Sequence, residues 1–473
     1  MSRINNNVQS LIAQRVLGLQ NQRLNATLQR LSTGLRINTG RDDPAGLIAS
    51  ESLRNEMRAI TAAQQNISRA NNVVTVAESG LSEIASLLND LEHLIDISSN
   101  ESAISADERQ ANQLEIDAIL ASINRIANTT ELQGRKLLNG ALAYTTSGVK
   151  ISQVADVRLN SVRVPAGSTL GINVQVTQIA SAATVTYMSG TIAGSARTIE
   201  VAGKLGREVF TFGVGTTNAN MVSAINAVKG VTGVSAVVSG ANYVKFYSTG
   251  YGSSEFVSVR LLSGSSFKMI NDRYTDNGQD VVARVNGMTV QGNGLKISPR
   301  GSVLNGDLTL SVGFATQTAA TATFHVTGGG ATFAITPQLD GGSIARIGIN
   351  AVTTASLGDR NTGLLFSLGT GETNALNTQR YKQAQDIVRL AATQIAELRG
   401  RLGSFQKSTL DTTQNSLMVT YENVSSAESQ IRDADFAAET SNLTRSQILV
   451  QSAGLVLANT NRAPQNVLQL LQQ

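Results

Sequence analysis

The chain has 473 residues and a formal net charge of +4 from 38 basic and 34 acidic side chains. This length is enough for two to four domains with cores of their own. Aromatic residues make up 4% of the chain and tryptophan is absent, which disfavours a nucleic-acid binder with a basic, aromatic-rich patch. Cysteine is absent and there are two histidines, which excludes thiolate catalysis and disulfides and leaves little zinc chemistry.

The first residues, MSRINNNVQSLIAQRV, lack the apolar core and the small-residue cleavage site of a secretory signal peptide. No apolar stretch of the sequence approaches the roughly 20 residues that cross a bilayer. Taken alone, these two features predict a cytoplasmic protein.

The composition changes twice along the chain. Residues 1–140 are rich in Gln, Asn, Ala, Leu and Arg, with apolar residues at helical spacing. Residues 142–350 are rich in Gly, Thr, Val and Ser, and the segment from 375 onward is again helical in pattern. We therefore predict a multidomain α+β protein, in which long helices from both termini form a coiled-coil bundle that carries β-rich inserted outer domains.

The helical segments show apolar stripes in chain order. The 3, 4, 3, 4 spacing of Leu81, Ile84, Leu88, Leu91 and Ile95 is typical of a coiled-coil seam. The other stripes are Ile4, Val8, Leu11, Ile12, Val16, Leu19, Leu24, Leu28, Leu31 and Leu35 at the front, Ile116, Ile119, Ile123 and Ile126 in the third segment, and Ile387, Ala391, Ile395, Leu398, Leu402 and Phe405 near the end.

Local signals mark the breaks between helices. In TGRDDPAGL we expect Gly40 to end the first helix, Asp43 to cap the next one and Pro44 to occupy its first turn. Ser105 and Glu108 have capping-box spacing before the third helix. In the β-rich middle, residues 217–228 read as one short helix.

The two ends have an unusual charge pattern. Residues 1–41 carry six arginines and neither an acid nor a lysine, and residues 440–473 carry Arg445 and Arg462 and no acid. If these ends pair as helices, we expect apolar and amide contacts between them and no salt bridges. Apolar residues such as Leu17 and Leu19, or Leu455 and Val456, also occupy more than one helical face.

The surplus apolar faces need neighbours, because isolated helices are marginal in water. Either further helices of the same chain or other copies of the chain must cover them. We favour other copies, since the β-rich middle contains no long helices that could cover these faces. The ends are then disordered in the free chain and become ordered on assembly. A wider intramolecular bundle is the alternative.

Two long phrases resemble the bacterial flagellin family. The first comprises INNNVQSLIAQRVL and LQRLSTGLRINTGRDDPAGLIASESLR (28–54). The second comprises LRGRLGSFQKSTL (398–410) and SSAESQIRDADFAAETSNLTRSQILVQSAGLVLANTNRAPQNVLQLL (425–471). Both are ungapped, and the likeness extends over about 140 residues at the front and about 150 at the back. TIEVAGKLGREVFTFGVGTTNANMVSAINAVKGVTGVSAVV in the middle resembles a small β-rich unit inserted in many flagellins and hook-associated proteins.

The resemblance implies a structural filament subunit with three levels. Residues 1–44 and 430–473 are expected to pair as inner terminal helices around a channel. Residues 45–141 and 323–429 are expected to form a helical bundle with a β-hairpin, and 142–322 an outer, solvent-facing β-rich insertion. The inter-helix turn comprises Gly40, Asp42, Asp43, Pro44 and Gly46. The residues expected to pack in the filament core are Val8, Leu11, Val16, Leu24, Leu28, Leu31, Leu35, Ile448, Leu455, Leu457, Val467 and Leu468.

The resemblance also implies export and partners. Family members leave the cell unfolded through the flagellar export apparatus, guided by an uncleaved N-terminus, and assemble outside under a cap. The expected partners are other copies of the chain, cap and hook–filament junction proteins, and an export chaperone that binds residues around 440–470. Neither nucleic acid nor membrane insertion is expected, and the expected location is the extracellular filament.

Many flagellins present a helical patch, centred on an arginine, to an innate immune receptor. The matching segment here is LSEIASLLNDLEHLIDI (81–97), where Asp90 holds the position of that arginine. Asn89, His93 and Glu115 hold other matched positions. Because an anion replaces a cation at the centre of the contact, we expect weak or absent recognition.

Three other functions compete with that of a filament subunit. An enzyme is disfavoured: Asp42/Asp43 fit a turn, Asp433/Asp435 do not share a helical face, and no phosphate-binding or nucleophile motif occurs. No cofactor is expected. A hook–filament junction protein would share the helical ends, but NRAPQNVLQLL and the DDPAG loop fit the major subunit better. The Thr/Ser/Gly-rich middle leaves an adhesin or surface-coat protein as a third alternative.

Overall fold

The structure is a computed structural model that describes residues 7–100, 102–164, 168–188, 192, 195–240, 243–264, 268–338, 344–360 and 362–471, except for the side chains of 271 and 463–471. The chain divides into two compact units. The first unit comprises Met1–Ser68, Ala334–Ser343 and Thr409–Gln473, and the second comprises Arg69–Phe333 and Ile344–Ser408.

Helices occupy both ends of the described chain, as the composition predicted. A short π-helical stretch, Gln406–Asp411, lies between the seventh and eighth helices. The α-helices are α1 (Val8–Thr33), α2 (Pro44–Ser98), α3 (Ala106–Thr129), α4 (Asn218–Ala227), α5 (Lys229–Thr232), α6 (Val312–Ala315), α7 (Tyr381–Phe405), α8 (Thr412–Arg432) and α9 (Phe436–Leu471).

In the second unit, α2 and α7 pack as an antiparallel pair. Their predicted seams are confirmed, since Leu81, Ile84, Leu88, Leu91 and Ile95 on α2 and Ile387, Ala391, Ile395, Leu398 and Leu402 on α7 are all buried. Ion pairs flank the seam: Arg389 Nε lies 2.7 Å from Glu92 Oε1, and Arg399 Nε lies 2.7 Å from Glu78 Oε1. On α3, Ile116, Ile119 and Ile123 are buried and Ile126 is half-buried.

Side chains of α3 and α7 hold the segment 351–378 through hydrogen bonds to its backbone. Gln113 donates to Leu368 O (2.9 Å) and accepts from Leu376 N (2.8 Å). Gln394 both accepts from Gly358 N and donates to Gly358 O, each at 2.9 Å. Asn124 Oδ1 accepts from Thr354 N at 3.0 Å. These side chains attach the segment to α3 and α7.

Two of the predicted helix boundaries are confirmed. The side chains of Ser105 and Glu108 form the capping box of α3, each accepting from the backbone of the other. Helix α2 begins at Pro44, and Asp43 Oδ1 accepts from Gly46 N at 2.9 Å.

The predicted end of the first helix is wrong. Helix α1 ends at Thr33, and its C-cap is Gly34, whose φ of 74° is left-handed and whose N–H donates to Arg30 O. Gly40 therefore does not cap α1, and Leu35 lies beyond the helix. Glycine adopts this conformation at no steric cost. The end of α1 was not predicted here because the apolar stripe continues to Leu35.

An eight-stranded sheet with order β3-β17-β5-β13-β14-β15-β16-β4 lies in the second unit. Ile172, Val174 and Val176 of β5 are buried in its core, which confirms their alternation as a strand signal. Its strands are β3 (Tyr144–Ser147), β4 (Val154–Val162), β5 (Leu170–Gln178), β13 (Val282–Val285), β14 (Met288–Asn293), β15 (Lys296–Ile297), β16 (Leu304–Leu310) and β17 (Thr321–Gly329). The expected outer boundary between 322 and 323 thus falls inside β17, which pairs with both β5 and β3.

Two smaller sheets, β6-β10-β9 and β12-β11-β7-β8, share a second core with α4. The predicted short helix is confirmed, with Met221 and Ile225 buried. The strands are β6 (Thr184–Met188), β7 (Arg197–Gly203), β8 (Gly206–Phe212), β9 (Val234–Val238), β10 (Tyr243–Ser248), β11 (Phe256–Ser263) and β12 (Thr275–Asn277). The remaining strands are β1 (Glu131–Leu132), β2 (Arg135–Lys136), β18 (Ala331–Ala334), β19 (Ile344–Ile347), β20 (Gly358–Asp359) and β21 (Gly363–Leu364).

The seam of α2 gives a stability prediction. Leu88→Ala leaves a cavity at a fully buried position, and we expect it to lower the free energy of unfolding by about 2–5 kcal/mol. The measurement is urea unfolding of the dissociated full-length chain, followed by its helical circular dichroism. Leu114→Ala on α3 is the matched control, because Leu114 is 62% exposed and its loss should change stability by less than about 0.5 kcal/mol. Equal shifts for the two variants would contradict the proposed seam.

Candidate assembly surface

Helices α1 and α9 pair antiparallel within the first unit. At one end, Asn7 Nδ2 donates to Thr460 O (2.9 Å) and Ser10 Oγ donates to Asn461 Oδ1 (2.6 Å). At the other end, Arg30 Nη1 lies 3.2 Å from Glu439 Oε1. The start of α1 therefore lies beside the far part of α9, and the end of α1 beside the start of α9.

Backbone hydrogen bonds between residues 34–36 and 432–434, called here the clasp, fix the register of this helix pair. Arg36 N donates to Arg432 O at 2.7 Å, and Ala434 N donates to Gly34 O at 2.9 Å. The Arg36 guanidinium also donates to Ile431 O, with Nη2 at 2.6 Å. Leu35 lies in this clasp as the antiparallel bridge partner of Asp433.

The ion pair between Arg30 and Glu439 corrects one expectation. The sequence predicted no salt bridge between the two ends, because residues 440–473 lack acids. Glu439 lies one residue before that stretch and is buried in the first turn of α9. A carboxylate is favoured at a helix N-terminus and a cation at a helix C-terminus, and antiparallel packing brings these two groups together.

The face that α1 turns toward α9 combines leucines with small and polar residues. Every third or fourth residue is buried or half-buried, whereas nearly all the intervening side chains are exposed. Such 3, 4 spacing is that of a coiled-coil seam, but about half of the positions are polar or alanine. The seam comprises Ser10, Ala13, Leu17, Gln20, Leu24, Thr27 and Leu31 on α1, and Glu439, Leu443, Ser446, Val450, Ala453, Leu457 and Thr460 on α9.

The larger apolar side chains point away from this seam. Leu11 is 62% exposed whereas Ala13 is 7% exposed, and Leu455 is 69% exposed whereas Ala453 is 9% exposed. Soluble monomers rarely display contiguous apolar faces of this kind, which mark interaction sites. The exposed apolar residues of the two helices, called here the outward faces, are Val8, Leu11, Ile12, Val16, Leu19 and Leu28 on α1 and Phe436, Ile448, Leu449, Leu455 and Val456 on α9.

The residues expected to pack in the filament core divide into three groups. Val8, Leu11, Val16, Leu28, Ile448 and Leu455 lie on the outward faces. Leu24, Leu31 and Leu457 are half-buried in the seam, and Leu35 is half-buried in the clasp. The side chains of Val467 and Leu468 lie outside the described part of the chain.

The inter-helix turn is held by its two aspartates. Asp42 Oδ2 accepts from Thr39 N (2.9 Å), Thr39 Oγ1 (3.0 Å) and Asn38 N (3.2 Å). The bond from Thr39 N–H is the main reason why the pKa of Asp42 lies below its usual value. A Cβ at Gly46 would come within 2.4 Å of Asp43 Oδ2 and 2.7 Å of Ile37 Cδ1, so a larger residue there would displace these two side chains.

The residues matched to the innate-receptor patch lie on the second unit. Asn89, Asp90 and His93 are exposed on α2, and Glu115 is exposed on α3. These four side chains are thus available to solvent in a single copy of the chain.

The described residues also bear on two other features, a metal site and a membrane-spanning helix. Within the described ranges, His, Asp and Glu form no group of three or more suited to hold a metal ion. Among the described helices, none is long and apolar enough to cross a membrane.

Comparison with known proteins matches both helical ends. Residues 4–143 match the bacterial flagellin N-terminal helical region, and residues 385–471 match the bacterial flagellin C-terminal helical region. The B-type flagellin of Pseudomonas aeruginosa is 30% identical over an alignment that covers 99% of each chain. The chain belongs to the bacterial flagellin family. It is a structural subunit of the flagellar filament, and the exposed apolar faces of α1 and α9 lie within the two helical regions that match that family.

Other relatives agree with this assignment. Flagellin B of Helicobacter pylori is 27% identical over 99% of both chains, and the flagellin of Clostridium tyrobutyricum is 27% identical over 98% of this chain. Among solved structures, the flagellar junction protein of Legionella pneumophila covers 82% of this chain at 13% identity with a TM-score of 0.29.

The ion pair in the seam gives a prediction for the filament. Glu439→Gln weakens a charge-assisted hydrogen bond, and we expect a loss of about 1 kcal/mol per copy, because the partly exposed Arg30 is screened by solvent. The temperature at which filaments dissociate should fall. Glu422→Gln is the matched control, since Glu422 is exposed on α8. Identical dissociation temperatures for the two variants would show that the pair contributes nothing.

Proposed function

We propose that the chain polymerises by burying the outward faces of α1 and α9 against the same helices of neighbouring copies. One observation carries this proposal: about half of the seam positions are polar or alanine, and eleven large apolar side chains of the two helices remain exposed. Each leucine, isoleucine or valine that becomes buried contributes about 1.5–3 kcal/mol. The exposed faces thus supply a driving force for assembly that the single chain cannot use.

The weak seam supports a second part of the proposal. A helix pair whose seam is about half polar or alanine, and whose seam leucines are only half-buried, gains less free energy on its own than a fully apolar seam would. We therefore propose that α1 and α9 are disordered in the free chain and fold on entering the filament. The family resemblance supports export in the unfolded state through the flagellar export apparatus, and the acid-free front is compatible with it.

We propose the three-level arrangement for the assembled chain, with one boundary moved. Residues 1–44 and 430–473 would form the inner layer, and 45–141 with the segment before 430 the surrounding bundle. The outer insertion would run from 142 to 329 instead of to 322, because β17 is an integral strand of the eight-stranded sheet.

The remaining partners are proposed from the family resemblance. They are the cap, the hook–filament junction proteins and an export chaperone that binds α9 around 440–470, and the filament would lie outside the cell. We propose that the chain has no catalytic activity and needs no cofactor. The non-enzymatic character of the flagellin family supports this.

Substitutions on the outward faces test the proposal. Leu11→Asp and Leu455→Asp place a charge where assembly would bury it, and we expect each to raise the critical concentration for polymerisation more than about 100-fold. Neither should change the thermal unfolding of the dissociated chain, because both positions are exposed. The measurement is electron microscopy and sedimentation after heat dissociation and reassembly.

The controls add the same charge at exposed polar positions of the same helices. Gln9 and Asn459 lie beside the outward faces. The variants Gln9→Asp and Asn459→Asp should both polymerise far better than the leucine variants. The proposal fails if the leucine variants assemble as readily as the unchanged chain.

We also propose that the innate receptor recognises this chain weakly. The exposed Asp90 would place a carboxylate where many family members present a guanidinium, which reverses the charge complementarity. In a receptor-reporter assay, the dissociated chain should activate poorly, and Asp90→Arg should increase activation. Ser86→Arg, a second exposed position on α2, is the control for added charge. Full activation by the unchanged chain at ordinary flagellin doses would refute this proposal.

A further inference from the structure

A small cavity lies inside the second unit, where α7 approaches strands β4 and β16. Its volume is about 20 Å³, and its walls include Asn160, Asp307, Val352, Leu357, Gln394 and Arg401. A cavity needs at least about 10–15 Å³ of this kind of volume to hold one water molecule. The space therefore suits a single water-sized occupant.

Two buried polar atoms that belong to residues lining the cavity lack a protein partner. Arg401 Nε and Asn160 Oδ1 are both inaccessible to solvent, and neither has a hydrogen-bond partner among the described residues. Asn160 as a whole is 6% exposed. Leaving such groups unsatisfied is costly, so a donor and an acceptor beside one cavity point to an occupant that bonds both.

The orientation of the Asn160 amide is fixed by its other neighbour. Asn160 Nδ2 lies 3.4 Å from Asn305 Oδ1, and that same oxygen accepts from Arg300 Nη1 at 2.7 Å. Because Asn305 Oδ1 must be an oxygen to accept from an arginine, the group that faces it on Asn160 must be the amino group. The oxygen of Asn160 therefore belongs on the unpaired side.

The surrounding charges favour a neutral occupant. Arg158 and Arg401 line the cavity together with the carboxylates of Asp307 and Glu397. An anion would lie close to Asn160 Oδ1 and two carboxylates, and a cation would lie close to two guanidinium groups. Most of these charges already have partners: Arg158 pairs with Asp156 at 2.7 Å, and Asp307 with Arg300 at 3.3 Å. Water can accept from one group and donate to the other.

We propose that this cavity is a binding site for one ordered water molecule, which accepts from Arg401 Nε–H and donates to Asn160 Oδ1. The water would join helix α7 to strand β4. The proposal concerns the interior of the second unit and does not depend on how the filament assembles.

A double-mutant cycle on the full-length dissociated chain tests the bridge. Asn160→Leu and Arg401→Met each remove one partner of the water and leave the other group buried and unsatisfied. We expect each single variant to lower the melting temperature by about 3 °C or more. The double variant should lose clearly less than the sum, because no unsatisfied polar group remains. If leucine does not fit at position 160, Asn160→Ala serves the same cycle.

The matched control uses a neighbouring arginine of the same helix. Arg399 pairs with Glu78 at 2.7 Å and is not part of the cavity wall, so Arg399→Met combined with Asn160→Leu should give an additive loss. Additive losses for the Asn160 and Arg401 variants as well would overturn the water bridge.

Two further measurements identify the occupant. A high-resolution map of the assembled filament should show one density feature between Arg401 Nε and Asn160 Oδ1, and an empty cavity would overturn the proposal. Melting is also compared in sodium chloride and sodium fluoride. A stabilisation specific to chloride that disappears in Arg401→Met would show that the site holds an anion instead, whereas equal effects of the two salts support water.

Discussion

The antiparallel pairing of α1 with α9, through a seam that is about half polar or alanine, is the constraint on which the rest of the first unit depends. Ser10, Ala13 and Thr27 occupy buried seam positions, while Leu11 and Val16 on the same helix are exposed. A pair that buried its leucines would be stable alone and would present no apolar surface to other copies. The seam instead sets the register and direction of the helices, and the apolar residues are left for contacts between copies.

The sequence predicted the bundle seams better than it predicted the pairing of the ends. The stripe from Leu81 to Ile95 faces a partner helix of the same unit, so its spacing identified the contact directly. On α1 the same reasoning selected Val8, Leu11 and Val16, but these residues face outward, and the seam runs through the less conspicuous series from Ser10 to Leu31. A periodic apolar stripe shows which face becomes buried, and it does not show whether the partner belongs to the same molecule.

Other features depended on contacts that are distant in sequence. The alternation of Ile172, Val174 and Val176 predicted a strand, but no local pattern shows that β17 lies between β3 and β5, and the expected boundary at 322 therefore cuts through that strand. The Arg30–Glu439 pair likewise becomes visible only when the antiparallel register is known. The stop at Gly34 did have a local signal, a glycine after Thr33, which the continuing apolar stripe concealed.

The side chains that hold loops and turns in place differ between parts of the chain, and acid protonates only those that are carboxylates. Three of the side chains that hold the segment 351–378, Gln113, Asn124 and Gln394, are amides, which do not titrate. Carboxylates instead hold the loop before α2 and the first helical turns of α2. Hydrogen bonds from Thr39 lower the pKa of Asp42, and the bond from Arg54 lowers the pKa of Glu51.

A carboxyl group with a lowered folded-state pKa contributes stability above its ordinary pKa, and that contribution is lost as the pH falls through the lowered value. Acid therefore weakens the bonds that hold the turn between α1 and α2, whereas the amide contacts of the segment 351–378 do not titrate. That segment also has one carboxylate contact, because Asp117 accepts from Thr370 N at 2.9 Å and from Thr370 Oγ1 at 2.6 Å.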